Sequence, residues 1–121
     1  MYHKAMLMKD EASAKRVLTT KTPQQAKAVG RSVMNWDEEK WAEHRDDIIF
    51  TGLSLKTRQH PEIQTLLRQL PPDQEFAEVS PYDRIWGIGC TKEDRRSLDP
   101  TKWPGQNLLG KAWKRVRASL D

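Results

Sequence analysis

Between positions 80 and 110 the chain carries two blocks whose residue types suit a pocket for a sugar and a flat base. The first reads Ser80-Pro81-Tyr82-Asp83-Arg84-Ile85-Trp86-Gly87-Ile88-Gly89. The second, past a short insertion, reads Trp103-Pro104-Gly105-Gln106-Asn107-Leu108-Leu109-Gly110. Tryptophans supply flat apolar faces, glycines allow close backbone approach, and the carboxylate and amide supply fixed polar groups. Asp83 stands three residues before Trp86 in a turn, where a carboxylate can stabilise an oxocarbenium-like sugar or orient a water. A turn aspartate that bonds its own backbone is the plainer alternative. Trp86 can stack a base, a contact worth about 1–3 kcal/mol, or it can fill the core. Gly87 and Gly89 make a lone Gly-x-Gly, which says little about phosphate binding.

Other residues carry weaker signals. Glu78 lies between Ala77 and Val79, so it is either the exposed half of an alternating strand or a buried acid with a partner. Lys4, Lys27, Arg31 and Lys56 are single cations, each open to a phosphate role or to plain solvation on a helix. His3, His44 and His60 lack metal-ligand spacing, so neither a metal nor another cofactor is expected. The single cysteine, Cys90, cannot close an internal disulfide and has no histidine near it in sequence. That agrees with a reducing compartment and gives no support to a catalytic thiol. No phosphate-binding loop, dinucleotide fingerprint or Ser-His-Asp signature is present.

The elements that position these residues belong to a chain of 121 residues, the length of one ordinary domain. With 36% apolar and 31% charged residues, a helix-rich protein with a thin core is expected. No apolar run approaches the roughly 20 residues of a membrane span, and no signal-like stretch follows Met1, so an intracellular, cytoplasmic protein with no membrane partner is expected. The net charge of +4 is segregated: residues 1–83 hold 12 basic and 13 acidic side chains, residues 84–121 hold 9 and 4. The excess lies beside the Trp-Gly blocks, where it would draw phosphates of a nucleotide or a nucleic-acid backbone. A solvated basic helix face is the alternative.

Helical spacing runs through residues 1–9 without a cap, and Asp10 can cap a second helix ending near Thr20. Thr22-Pro23-Gln24-Gln25 reads as a capping box for a third helix, which Gly30 should end. A longer helix follows from Asn35, with Asp37, Glu38 and Glu39 in its first turn and Trp41, Ile48, Ile49 and Gly52 on one side. Pro61 opens another, with Ile63, Leu66, Leu67 and Leu70 on one face until Pro71-Pro72 stops it. Residues 75–79 and 85–88 read as short strands joined by Ser80–Asp83. The last helix, from about Asn107 to Leu120, should bury Leu109, Ala112, Trp113, Val116 and Leu120, and spread Lys111, Lys114, Arg115 and Arg117 over its other faces. The expected architecture is a mainly α, compact domain with a small β-hairpin.

In order along the chain, Tyr2-His3-Lys4-Ala5, Pro23 with Ala26-Lys27 and Gly30-Arg31, Trp41, Lys56, Glu78 with Ser80-Pro81, Asp83 through Gly89, Trp103 with Gly105 through Gly110, and Arg117 resemble the NADAR or YbiA-like family. The most specific stretch is Glu-x-Ser-Pro-x-Asp-x-x-Trp-Gly-x-Gly followed by Asn-x-Leu-Gly. The resemblance implies N-glycosidase chemistry on ribosyl conjugates: ADP-ribose attached to guanine bases of nucleic acid, or ribosylamino intermediates early in riboflavin synthesis. It assigns Asp83 and Trp86 to the reacting sugar and its base. Lys4, Lys27, Gly30 and Arg31 fall to the phosphate and ribose side, with Gly87, Asn107 and Gly110 shaping the pocket. Family members also carry a glutamate upstream of the lysine matched by Lys4, so the chain reads as truncated at its N-terminus and lacking that acid. A non-catalytic module that binds ADP-ribose or a nucleotide is therefore the second expectation. A basic protein that binds nucleic acid through its last helix is the third.

Overall fold

A computed structural model describes residues 1–120, which form six α-helices and two short 3₁₀ turns and contain no β-strand. The helices are α1 (Tyr2–Leu7), α2 (Glu11–Thr19), α3 (Pro23–Arg31), α4 (Glu38–Gln59), α5 (Pro61–Arg68) and α6 (Leu108–Ala118). The 3₁₀ turns, Arg95–Leu98 and Pro100–Lys102, occupy the insertion between the two motif blocks. None of the described helices is long and apolar enough to cross a membrane. The chain divides into two compact units, Met1–Ile48 and the residues from Ile49 onward, with the boundary inside α4.

In the first unit α1 packs on α2 and α3 around buried Ala5, Met8 and Ala14. Helix α1 stops before the expected residue 9 because Lys9 takes the left-handed conformation, φ 60°. Its N–H bonds Met6 O at 3.0 Å while Asp10 N–H reaches back to Ala5 O at 2.9 Å, a helix stop that glycine usually makes. Asp10 then caps α2: Oδ1 accepts from Ser13 N–H at 3.0 Å and Oδ2 from the Ser13 hydroxyl at 2.6 Å. Helix α3 opens as its spacing predicts, with Pro23 in the first turn and Thr22 Oγ1 accepting from Gln25 N–H at 3.2 Å. The Gln25 side chain, however, accepts from Lys21 N–H instead of closing the box on Thr22. Gly30 does not end the helix, which runs on through Arg31; it lies buried where its missing side chain makes room for Met1. Helix α4 begins at Glu38, later than expected, because Asn35 is left-handed (φ 60°) and Asp37 serves as the cap, accepting from Lys40 N–H at 3.1 Å.

The second unit gathers Thr57, Leu67, Ile88, Cys90, Ala112 and Val116 as buried residues. Leu66, expected on the buried face of α5, is 62% exposed. The expected β-hairpin is absent. Between residues 75–79 and 85–88 only Ile88 N–H to Glu78 O, at 2.9 Å, is in place. The carbonyls of the second segment turn elsewhere: those of Arg84, Ile85, Trp86, Gly87 and Ile88 accept from the amides of Gln106, Leu108, Leu109, Asn107 and Gly105, at 2.8–3.1 Å. Along a strand successive carbonyls point to opposite sides, so five in a row given to one partner segment exclude strand geometry. The alternating apolar pattern that suggested a strand belongs instead to a loop laced to the start of α6.

Candidate functional site

In the second unit the two motif blocks build each other. Asp83 Oδ1 accepts from Ile85 N–H at 3.0 Å and Trp86 N–H at 2.8 Å, which closes the turn and leaves Oδ2 outside both bonds. Asp83 and Trp86 are both half-buried. The first amides of a helix have no partner within it; in α6 those of Leu108 and Leu109 are taken by the carbonyls of Ile85 and Trp86, at 3.1 Å each. The first motif thus caps the helix that the second motif starts.

Asn107 is the hinge of this arrangement. It is 3% exposed and left-handed, φ 54°. Its Nδ2 donates to Phe76 O at 2.7 Å, its Oδ1 accepts from Glu78 N–H at 3.0 Å, and its backbone N–H bonds Gly87 O at 3.0 Å. The glycines are demanded by the same crowding. A Cβ on Gly87 would stand 2.9 Å from Asp83 O and 3.0 Å from Glu78 O, and one on Gly110 would collide with Phe76 O and the Asn107 side chain. Asp83, Trp86, Gly87, Asn107 and Gly110 are therefore brought together, with Asn107, Gly87 and Gly110 forming the frame of the loop. Glu78 is exposed, and its backbone, not its carboxylate, joins this frame.

The remaining predicted residues lie in the first unit. The Lys4 ammonium stands 4.8 Å from the ring centroid of Trp36 and 5.6 Å from that of Trp41. The two rings are 5.8 Å apart and tilted by 51°. Trp36 Nε1 donates to Glu38 Oε2 at 2.9 Å. Burial holds the Lys4 pKa below its ordinary value, the charge of Glu38 opposes that shift, and Arg31 adds to it. Lys27 and Arg31 are exposed on α3. Trp36 and Glu38 are functional candidates that the sequence does not mark: two tryptophans and three acids within positions 36–41 do not reveal which cation they meet.

The basic face expected on α6 is mostly spent within the protein. Lys114 is paired with Glu75, the Arg115 guanidinium lies 3.9 Å from the Phe50 ring centroid, and Arg117 is buried with Nε donating to Leu70 O at 2.9 Å. Arg117, read from spacing as an outward cation, is an inward one. A cavity of about 300 Å³ in this unit is lined by Phe50, Ser54, Leu55, Arg58, Val116 and Leu120 among others, and none of the predicted site residues contributes to it. Among the described residues no three His, Cys, Asp or Glu side chains come together as a metal-binding group.

The family model of the NADAR domain matches residues 1–121. The chain is 36% identical over 117 residues to N-glycosidase R617 of Acanthamoeba polyphaga mimivirus, an alignment that covers 97% of this chain and 68% of the viral protein. It is 32% identical over 122 residues to Protein irg-1 of Caenorhabditis elegans, covering 99% of this chain and 57% of the worm protein.

Proposed function

The chain belongs to the NADAR family, and from that premise we propose that it is an N-glycosidase acting on ribosyl conjugates. A water oxygen bonds the sugar C1 as the C1–N bond breaks, the bonding pair stays on the leaving nitrogen, and the proton lost by the water balances the one that nitrogen gains. Positive charge gathers on the sugar in between, which is where a fixed carboxylate acts best. Asp83 fills that role and Trp86 stacks the departing base; the resemblance gives Lys4, Lys27 and Arg31 of the first unit to phosphates and ribose, and Gly30, packed against Met1, serves there as a spacer. The substrate class is ADP-ribose on guanine bases or a ribosylamino intermediate of the riboflavin route, handled without a metal in a reducing, cytoplasmic setting that suits the free, buried Cys90.

The observation that carries the reading is the held carboxylate: two backbone amides fix Asp83 Oδ1 beside half-buried Trp86, and Oδ2 is outside those bonds. The name of the viral relative supports the same reaction class. The test incubates the purified chain with ADP-ribosylated guanine oligonucleotide and follows free ADP-ribose by chromatography, with and without EDTA. Release that survives EDTA and falls about 10²-fold or more in Asp83→Asn is expected. Tight binding of ADP-ribose with no release from any conjugate would leave a binding module in place of an enzyme.

A further inference from the structure

Among the cations assigned to the ligand in the first unit, Lys4 is held by specific neighbours, whereas Lys27 and Arg31 stand exposed on α3. The loop that brings Trp36 to it is pinned three times. Arg16 Nη2 donates to Ser32 Oγ at 3.0 Å, Met34 N–H donates to Asp10 Oδ2 at 2.8 Å, and Asp37 N–H donates to Met8 Sδ at 3.4 Å. Between the last two pins Asn35 turns left-handed, φ 60°. A segment so restrained has little freedom to aim its tryptophan otherwise.

Yet Trp36 is 42% exposed. An indole is among the largest apolar groups available, and one placed for core stability is buried much further. What its ring does is stand over an ammonium that Trp41 also faces, with its N–H fixed by the carboxylate of Glu38. A cation is drawn to the negative face of an aromatic ring, and Glu38 adds a charge of the attracting sign.

We propose that Trp36 is a positioning residue: with Trp41 and Glu38 it fixes where the Lys4 ammonium stands and keeps water from it. Only the use made of Lys4 rests on the N-glycosidase reading; the clamp stands on its own geometry. The charged groups that face Lys4 are Glu38, Arg31 and the Met1 α-ammonium, itself depressed by burial and then by Lys4. Arg31 repels the cation and Glu38 attracts it, burial decides the direction, and the indoles are the groups standing against the ammonium, so the proton leaves Lys4 more easily than from a free lysine. Removing the Trp36 ring readmits water and also takes away the ring's own attraction for the cation; burial is the largest influence on Lys4, so the return of water outweighs that loss. The Lys4 pKa then moves up, toward its ordinary 10.5.

The test titrates lysine side chains by NMR in the isotope-labelled protein, with the Lys4 signal assigned through Lys4→Arg, in wild type, Trp36→Ala and Trp36→Phe. The expected result is an upward shift for Trp36→Ala and a value near wild type for Trp36→Phe, which keeps a ring over the cation. In the release assay the alkaline limb of the pH profile moves the same way. For Trp36→Ala kcat/KM falls about 10²-fold, the size of loss that a small misplacement of a substrate-positioning group produces, and Trp36→Phe recovers most of it. Circular dichroism and thermal melts establish that both variants remain folded. A folded Trp36→Ala protein with unchanged Lys4 titration and an unmoved alkaline limb overturns the inference. If wild type releases no ADP-ribose while the Lys4 titration shifts as described, the clamp is upheld and the N-glycosidase reading fails.

Discussion

Asp83 illustrates how one side chain can hold structure and chemistry apart. Its Oδ1 is committed to the amides of Ile85 and Trp86, so an asparagine, which keeps that oxygen, preserves the turn while removing the charge. Alanine removes both. Asp83→Asn should therefore leave the urea midpoint close to wild type and lower turnover, while Asp83→Ala should also destabilise the fold by roughly 1–3 kcal/mol through two amides left without their acceptor. Equal destabilisation in the two variants would mean that charge, not hydrogen bonding, holds the turn. Trp86 is half-buried, neither a core ring nor a free one. Trp86→Ala is expected to weaken ADP-ribose affinity by about 1–3 kcal/mol, measured by calorimetry. An unchanged affinity in a destabilised protein would make the ring a packing element only.

At the scale of elements, the start of α6 and the loop before it form one unit, with Asn107 as the joint. Asn107→Ala strands Phe76 O and Glu78 N–H, both partly shielded from solvent, at a cost of up to about 1–3 kcal/mol each. Chemical denaturation should show that loss, and an aspartate there should fail to rescue it because it cannot donate to Phe76 O. In the first unit Asp10 joins α2 to the loop bearing Trp36. Its pKa is lowered chiefly by the bond from Met34 N–H and then by Ser13, so its contribution is present above the ordinary carboxylate value of 3.8 and is lost as pH falls through the lower folded value. The gap in melting temperature between wild type and Asp10→Asn should narrow as pH drops below 3.8. Local signals of this kind were legible in the sequence: Asp10, Thr22-Pro23 and Pro61 mark the helix starts that the fold uses. The partner of residues 84–88 was not legible, because an alternating Ile-Trp-Gly-Ile segment fits a strand as well as a loop whose carbonyls cap a helix. Left-handed Lys9 was hidden because lysine does not announce a positive φ as glycine does, and Asn35 and Asn107, of a type that tolerates that region, carry no mark of where along the chain it is used.

For the molecule as a whole, the charge count in the sequence and the charge available for binding differ, and the difference bears on the form of the substrate. Nine cations lie from position 84 onward; if all met phosphates, binding to duplex DNA would fall with salt at a log–log slope of about −8. The fold spends four of them: Arg96 on Asp94, Lys114 on Glu75, Arg115 on the Phe50 ring and Arg117 on Leu70 O. Five remain, Arg84, Lys92, Arg95, Lys102 and Lys111, all exposed. This segment can then add no more than about −4 to −5 to the slope. Single variants separate the two sets: Lys111→Ala should reduce the slope by about 1, whereas Lys114→Ala and Arg115→Ala should leave it unchanged. Fluorescence anisotropy of a labelled oligonucleotide across a salt series measures this directly. A full unit lost for Arg115→Ala as well would show that α6 gives up its internal contacts to bind phosphate. Wild-type binding with no salt dependence would instead favour a free nucleotide or small ribosyl conjugate as the natural substrate over a modified strand of DNA or RNA.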